Sequence, residues 1–167
     1  MPPVRLLGLS ALVTLLAFAL HAAPEATELR AEGMTFVGNS GAERNIVLRS
    51  RLAVFHPADG TAELTDVDAE VSVLDEGISF TMKCEEAELD VKSNDFIARG
   101  NVHGTTAEGQ RYRAPWVEYS HDEGLLSTDA PVVMEDRSGS FRGDGFRYHM
   151  REKRFRLLGN VRVEQAP

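Results

Sequence analysis

Apolar and polar residues alternate along most of this chain. Val67, Ala69, Val71 and Val73 share one parity while Asp66, Asp68, Glu70 and Ser72 take the other, which is the period-two mark of a strand with one buried face. The same holds for Ile78, Phe80 and Met82 against Ser79, Thr81 and Lys83, and for Ala87, Leu89 and Val91 against Glu86, Glu88, Asp90 and Lys92. Phe96, Ala98, Gly100 and Val102 continue it. No stretch after Ala26 keeps apolar residues at helical spacing. Turn signals punctuate the strands at Pro57 to Gly60, Asp75 to Gly77, Ser93 to Asp95, Glu108-Gly109, His121 to Gly124, Ser138-Gly139 and Arg151 to Lys153. Short strands at such intervals predict an all-β, antiparallel architecture. Pro115 cannot donate to a ladder, and the parity changes between Tyr112-Ala114-Trp116 and Val117-Tyr119, so a bulge or an edge is expected there.

The strands also echo one another. Gly159-Asn160-Val161 repeats Gly100-Asn101-Val102 at an interval of 159 − 100 = 59 residues, and Ala130-Pro131-Val132 falls midway with the valine kept and Gly-Asn lost. One unit is an apolar strand, a polar turn and a second strand ending in valine.

Upstream the pattern changes. Arg5 precedes an apolar run from Leu6 to Leu20, broken only by Gly8, Ser10 and Thr14 and followed by His21-Ala22-Ala23-Pro24, the outline of an export signal. The run is somewhat short of the ~20 residues of a comfortable membrane span. Two fates are open: cleavage near Ala23, or retention as a single N-terminal anchor helix. Residues 1–25 are therefore read as signal or anchor, 26–45 as a glycine-bearing linker with one short strand at Met34 to Val37, and 46–167 as one β domain.

Composition narrows the function. The 167 residues carry a formal net charge of −8, which gives no overall basic footprint for nucleic acid. Cys84 is the only cysteine, so no internal disulfide can form; its parity makes it a small buried hydrophobe. The five histidines, His21, His56, His103, His121 and His149, are scattered without metal-ligand spacing, and turn or outer-face positions are expected for them. Glu86, Glu88 and Asp90 line one strand face, but a solvated one, which lacks the cleft that a hydrolytic carboxylate pair needs. The glycines at 139, 143 and 145 precede no helix and form no phosphate cradle. No catalytic constellation, metal site or cofactor is expected, and the chain is read as no enzyme. Charge is uneven along the chain: twelve acidic residues against two lysines between Asp59 and Asp95, then eight basic against two acidic between Arg137 and Arg162. That asymmetry suits either head-to-tail docking of an acidic on a basic end or strand faces that merely differ in sign.

The strand pairs ending in Phe96-Ile97-Ala98-Arg99-Gly100-Asn101-Val102, Leu125 to Val132 and Phe155-Arg156-Leu157-Leu158-Gly159-Asn160-Val161 resemble those of the lipopolysaccharide-export component LptC and its soluble relative LptA, over roughly Ile46 to Val163. The resemblance implies a twisted, slightly open, groove-like β-jellyroll. It implies a periplasmic protein that accepts lipopolysaccharide from an inner-membrane Lpt ABC transporter and passes it along a bridge of like-folded, LptA-like domains joined by strand addition. Such a protein is held at the inner membrane if the N-terminal helix stays, and is soluble in the periplasm if it is cleaved.

By parity the interior consists of Val71, Val73, Ile78, Phe80, Met82, Leu89, Val91, Phe96, Val102, Tyr119, Phe146, Tyr148, Leu157 and Val161; some of these are expected to touch acyl chains. Whether the apolar faces close on each other or leave a trough is open from sequence. For partner contact the last strand is expected, with Leu157, Val161 and Val163 facing in and Arg156 and Arg162 out, where the arginines are also the cations available to lipid phosphates. The resemblance further places the first strands, with Ile46, Leu48 and Leu52, against the membrane complex. Two other readings stand beside this one: a secreted structural or adhesive β-scaffold without lipid, and an LptA-like soluble bridge subunit.

Overall fold

The alternation becomes strands, and a corner that recurs in each long strand decides how they stack. The structure, a computed structural model, describes residues 28–40, 44–73 and 77–165. The expected N-terminal helix lies outside them; among the described residues there is no helix. In chain order the strands are β1 (Leu29–Ser40), β2 (Arg44–His56), β3 (Thr61–Val73), β4 (Gly77–Asp90), β5 (Phe96–Thr106), β6 (Arg111–Ser120), β7 (Leu125–Thr128), β8 (Val132–Asp136), β9 (Gly139–Gly143), β10 (Gly145–His149), β11 (Arg154–Leu158) and β12 (Arg162–Gln165). All neighbours are antiparallel, in the order β1-β2-β3-β4-β5-β6-β7-β10-β11, with β8, β9 and β12 branching from β6.

The long strands share one line where the pleat is broken. Leu64 and then Val67 are buried on β3, Cys84 and then Ala87 on β4, and Ala114 and then Val117 on β6, a change of inward parity, whereas β5 keeps its parity from Ala98 to Val102 because Gly100 and Asn101 are one residue more than its partner has. Left-handed backbone marks the line at Gly33 (φ 65°), Asp66 (φ 54°), Gly100 (φ 75°) and Asn101 (φ 48°). There the pleat is interrupted and the strand turns. Pro115 sits at this corner as expected: Arg99 pairs with Trp116 and Val102 with Ala114, so Gly100 and Asn101 stand opposite the single Pro115. Past β6 the corner cuts the strands in two. Asp129 to Pro131 separates β7 from β8, Asp144 separates β9 from β10, and Gly159 to Val161 separates β11 from β12. The Gly-Asn echo is thus the corner itself, since Gly159 (φ 62°) and Asn160 (φ 36°) repeat the backbone of Gly100 and Asn101.

The corners divide the sheet into two leaves whose inner faces oppose each other. One leaf holds β8, β9, β12 and the matching halves of the longer strands, including Phe80 and Tyr112; the other holds β7, β10, β11 and the remaining halves, including Phe96 and Tyr119. Between them lies one apolar core. Burying a phenylalanine side chain fully is worth about 1.5–3 kcal/mol, and Phe80, Phe96 and Phe146 are all fully covered.

The segment read as a linker is corrected. Leu29–Ser40 pairs along its whole length with β2, because its glycines serve the fold: Gly33 turns the corner, and a Cβ on Gly38 would stand 2.5 Å from the Asn94 side chain and 2.7 Å from that of Ile46. It follows that β2 is an interior strand, paired on both sides. Ile46 and Leu48 are wholly buried and Leu52 is half-buried, so none of the three lies on a free edge as expected.

Candidate functional site

Two features stand out: an apolar seam between the leaves, and free strand edges at either end. The seam is closed mid-sheet by rings that meet from opposite leaves. Phe80 meets Tyr119 edge-on with centroids 5.6 Å apart, and Tyr112 meets Phe146 at 5.7 Å. Phe96 adds to Tyr119 at 5.1 Å within one leaf. Such ring pairs contribute about 0.5–1.5 kcal/mol beyond their burial.

The tyrosine hydroxyls anchor the seam at its polar borders. The Tyr112 hydroxyl donates to the Thr81 carbonyl at 3.1 Å, over Gly104, whose missing side chain leaves it room; burial drives the Tyr112 pKa far above its ordinary value. Tyr119 Oη lies 3.0 Å from His121 Nδ1, and the His121 backbone N–H donates to Asp95 Oδ1 at 2.7 Å. His121 does occupy a turn, but it is buried rather than outward, because it closes the polar end of the Tyr119 ring. The Tyr148 hydroxyl donates to Glu108 Oε2 at 3.2 Å, tying β10 of one leaf to the β5–β6 turn of the other. Cys84 is a buried thiol with its pKa raised from 9.0 to about 11, chiefly by desolvation.

Of the residues expected inside, Val71, Phe80, Met82, Leu89, Phe96, Val102, Tyr119, Phe146 and Tyr148 are fully buried, while Val73, Val91 and Leu157 are half-buried. The side chain of Ile78 lies outside the described residues. Val161 is corrected: it is 50% exposed, because it falls in the corner after Gly159-Asn160, where no strand among the described residues lies beyond to cover it. Val163 keeps the inward parity, paired with Phe141, yet is 57% exposed for the same reason. Sequence reasoning passed over Tyr112, Val117, Leu126 and Leu64, which the core buries; the parity flip at Pro115 was the available signal for the first two.

In the middle the core is filled by its own side chains; at its ends it is not. β1 leaves Leu29 55% exposed with Met34 and Phe36 half-covered, and β11 leaves Phe155 and Leu157 half-covered. Among the described residues, neither the outer edge of β1 nor that of β11 and β12 has a neighbouring strand. A cleft of about 460 Å³ at Glu108 to Gln110 and Asp136 to Ser138 is lined by polar residues.

Charge follows the sheet order rather than the chain ends. The acidic strands β3 and β4 sit inside the sheet, partly compensated by Arg51 with Asp66 at 2.5 Å and Lys83 with Asp68 at 2.9 Å. They form no acidic end, so head-to-tail docking of opposite ends loses one of its halves. Glu86, Glu88 and Asp90 are exposed on the outer face, splayed along one strand. The basic stretch, by contrast, is an end: Arg142, Arg147, Arg156 and Arg162 lie on the last strands of the two leaves, all exposed. Arg156 and Arg162 point outward, on the side expected of them.

Antiparallel strands folded at a shared corner into two leaves, with an apolar seam and a free strand at each end, define an open-ended β-jellyroll. A family profile described as "Lipopolysaccharide-assembly, LptC-related" matches residues 20–165. The chain belongs to this LptC family, whose role is lipopolysaccharide assembly. No curated protein matches it by sequence. Among solved structures it is similar to LptH from Pseudomonas aeruginosa, described as the LptA homologous periplasmic component of the lipopolysaccharide transport device, with 10% identity and a TM-score of 0.59 over 73% of this chain and 95% of that one. At that identity the likeness concerns the fold.

Proposed function

We propose that this protein is a lipid-conducting component of lipopolysaccharide export, a non-enzymatic domain that faces the periplasm. It accepts lipopolysaccharide from an inner-membrane ABC transporter and hands it to an LptA-like bridge domain. The observation that carries this reading is the seam: an apolar interior running from one free edge to the other, lined by Phe80, Met82, Tyr119 and Phe146, between leaves joined along the corner line. Acyl chains enter by parting the leaves at the ring contacts, which exchanges protein–protein for protein–lipid apolar contact at little net cost in burial. The half-covered rims at β1 and at β11 and β12 are the places for strand addition, where backbone hydrogen bonds supply affinity. The apolar run from Leu6 to Leu20 acts in this scheme as the inner-membrane anchor, or as a signal whose removal leaves an LptA-like soluble subunit.

Depletion in living cells tests the proposal, scored by lipopolysaccharide at the cell surface. Loss of the protein is expected to halt delivery. A wild-type copy should restore it, and a copy carrying Val102→Asp, on the inner face of β5, should not. Normal delivery on depletion would leave the reading without support and favour a structural scaffold.

A further inference from the structure

Like charges stand directly opposite one another on the last strands of both leaves. Arg147 pairs with Arg156 across β10 and β11, and Arg142 with Arg162 across β9 and β12. Opposed side chains in such pairs lie about 4.5–5.5 Å apart at Cβ, and like charges there oppose pairing. All four are exposed, and among the described residues none has a carboxylate within ion-pair distance; nearby Arg154, in contrast, pairs with Glu152 at 2.7 Å. On one leaf the outer row changes sign toward the edge, from Glu63, Glu88 and Glu118 to Arg147 and Arg156. On this leaf cations are therefore gathered at the edge that, among the described residues, has no neighbouring strand and offers them no carboxylate.

We propose that the edge formed by β11 and β12 selects its docking strand by charge: the strand that adds there carries carboxylates on its outward face opposite Arg156 and Arg162. This rests on the strand-addition reading above and names the partner's chemistry. Throughout the sheet one long strand crosses the corner and pairs with both halves of its neighbour, as β5 does with β6. β11, Gly159-Asn160 and β12 present such a kinked strand, free along its outer edge. An added strand lies about 4.8 Å away, which brings an outward carboxylate beside each arginine and relieves the Arg–Arg opposition behind it. Arg156 and Arg162 are 162 − 156 = 6 positions apart, so the partner's two acidic positions are about six residues apart, with one more or fewer where a corner bulge intervenes. A second copy of this chain fits poorly: the outward positions at the start of its own free strand are Arg30 and Glu32, opposite Val54 and Leu52, which bring a cation for each carboxylate.

The test uses the full chain and three synthetic strand peptides of alternating valine and threonine, long enough to span Arg154 to Gln165, with a Gly-Asn corner. They carry glutamate, glutamine or lysine at the two outward positions. Fluorescence anisotropy should show the glutamate peptide binding roughly tenfold more tightly than the glutamine one, the combined effect of two exposed ion pairs, with the advantage shrinking as salt rises. The double variant R156E/R162E, at two exposed positions, should reverse the preference to the lysine peptide; R156Q/R162Q should abolish it. Equal binding of all three peptides would overturn charge selection while leaving strand addition standing, whereas no binding by any of them would remove the docking edge itself. Self-association of the full chain that blocks the peptides would overturn the proposal in favour of a second copy. Displacement of the glutamate peptide by lipopolysaccharide, lost in R156Q/R162Q, would overturn it in favour of lipid phosphate.

Discussion

Gly104 is the point at which the closed seam is most sharply testable, because a single methyl group there has nowhere to go. Its φ lies outside the left-handed region, so glycine is required by space alone. A Cβ would lie 1.9 Å from the Thr81 carbonyl oxygen, 2.9 Å from the Thr81 carbonyl carbon and 2.7 Å from the Tyr112 hydroxyl. Two of those atoms belong to the backbone of β4, paired with β5 at Met82 and Gly104, and can yield only if the two strands separate. Gly104→Ala therefore combines an overpacking cost of about 1–3 kcal/mol with loss of the Tyr112–Thr81 hydrogen bond, about 1 kcal/mol, for a destabilisation of about 2–4 kcal/mol. In urea this lowers the unfolding midpoint by about 1–2 M for a slope near 2 kcal/mol/M. Tyr112→Phe alone should cost about 1 kcal/mol. The double variant should fall short of the sum, because the hydroxyl is one of the crowding atoms. A Gly104→Ala protein within 0.5 kcal/mol of the parent would mean that β4 and β6 do not close over this glycine, and the packing described for the seam would be wrong.

Other consequences follow from single contacts. Phe80→Ala should cost about 3–5 kcal/mol in the same titration, since it empties a fully buried site against Tyr119. Gly159→Ala forces a φ of 62° on a residue with a Cβ, about 1–2 kcal/mol, and crowds Asp144 Oδ2 at 2.6 Å and Asp144 Cβ at 2.9 Å; adding Asp144→Ala, which keeps the Cβ, should recover part of the crowding and none of the backbone part, as thermal melts of the three proteins would reveal. Cys84, raised from 9.0 to about 11, holds a thiolate fraction at pH 8 roughly 100-fold below that of an ordinary thiol, so iodoacetamide should label it only after unfolding. The same shift fixes a sign: a raised acid pKa lends stability that is present below pH 9.0 and is lost as pH climbs toward about 11, so urea midpoints should decline across that window in the parent and less in Cys84→Ala.

Within each half-strand, alternation was enough to assign the inner face, and Val71, Phe80, Leu89 and Phe96 lie where their parity puts them. The corners were harder to see. Gly-Asn repeats at 100 and 159 announced two of them, and the flip at Pro115 a third, but Asp66 turns left-handed with no glycine to mark it. β1 was shortened to Met34 to Val37 because its glycines read as linker residues, when one turns a corner and the other makes room for Asn94 and Ile46. That shortening propagated: with only a short strand in a linker ahead of it, β2 looked like an edge, and Ile46, Leu48 and Leu52 looked available to a partner. Burial at an edge is likewise beyond parity. Val163 faces the seam side and is still half-exposed, since cover there depends on a neighbouring strand and alternation records only direction. The acidic and basic stretches were visible in sequence, but their positions in the sheet, one internal and one terminal, depend on strand order.

The central claim is that lipid passes between the leaves, and site-specific photo-crosslinking in living cells tests it most directly. A probe replacing Phe80, fully buried at the ring contact with Tyr119, is compared with one replacing Glu88 on the outer face of the same strand. The account predicts a lipopolysaccharide adduct at position 80 and none at 88. Adducts at neither position, in a protein that is folded and delivered to the periplasm, would mean that the seam stays closed on its own side chains and that the domain is a scaffold.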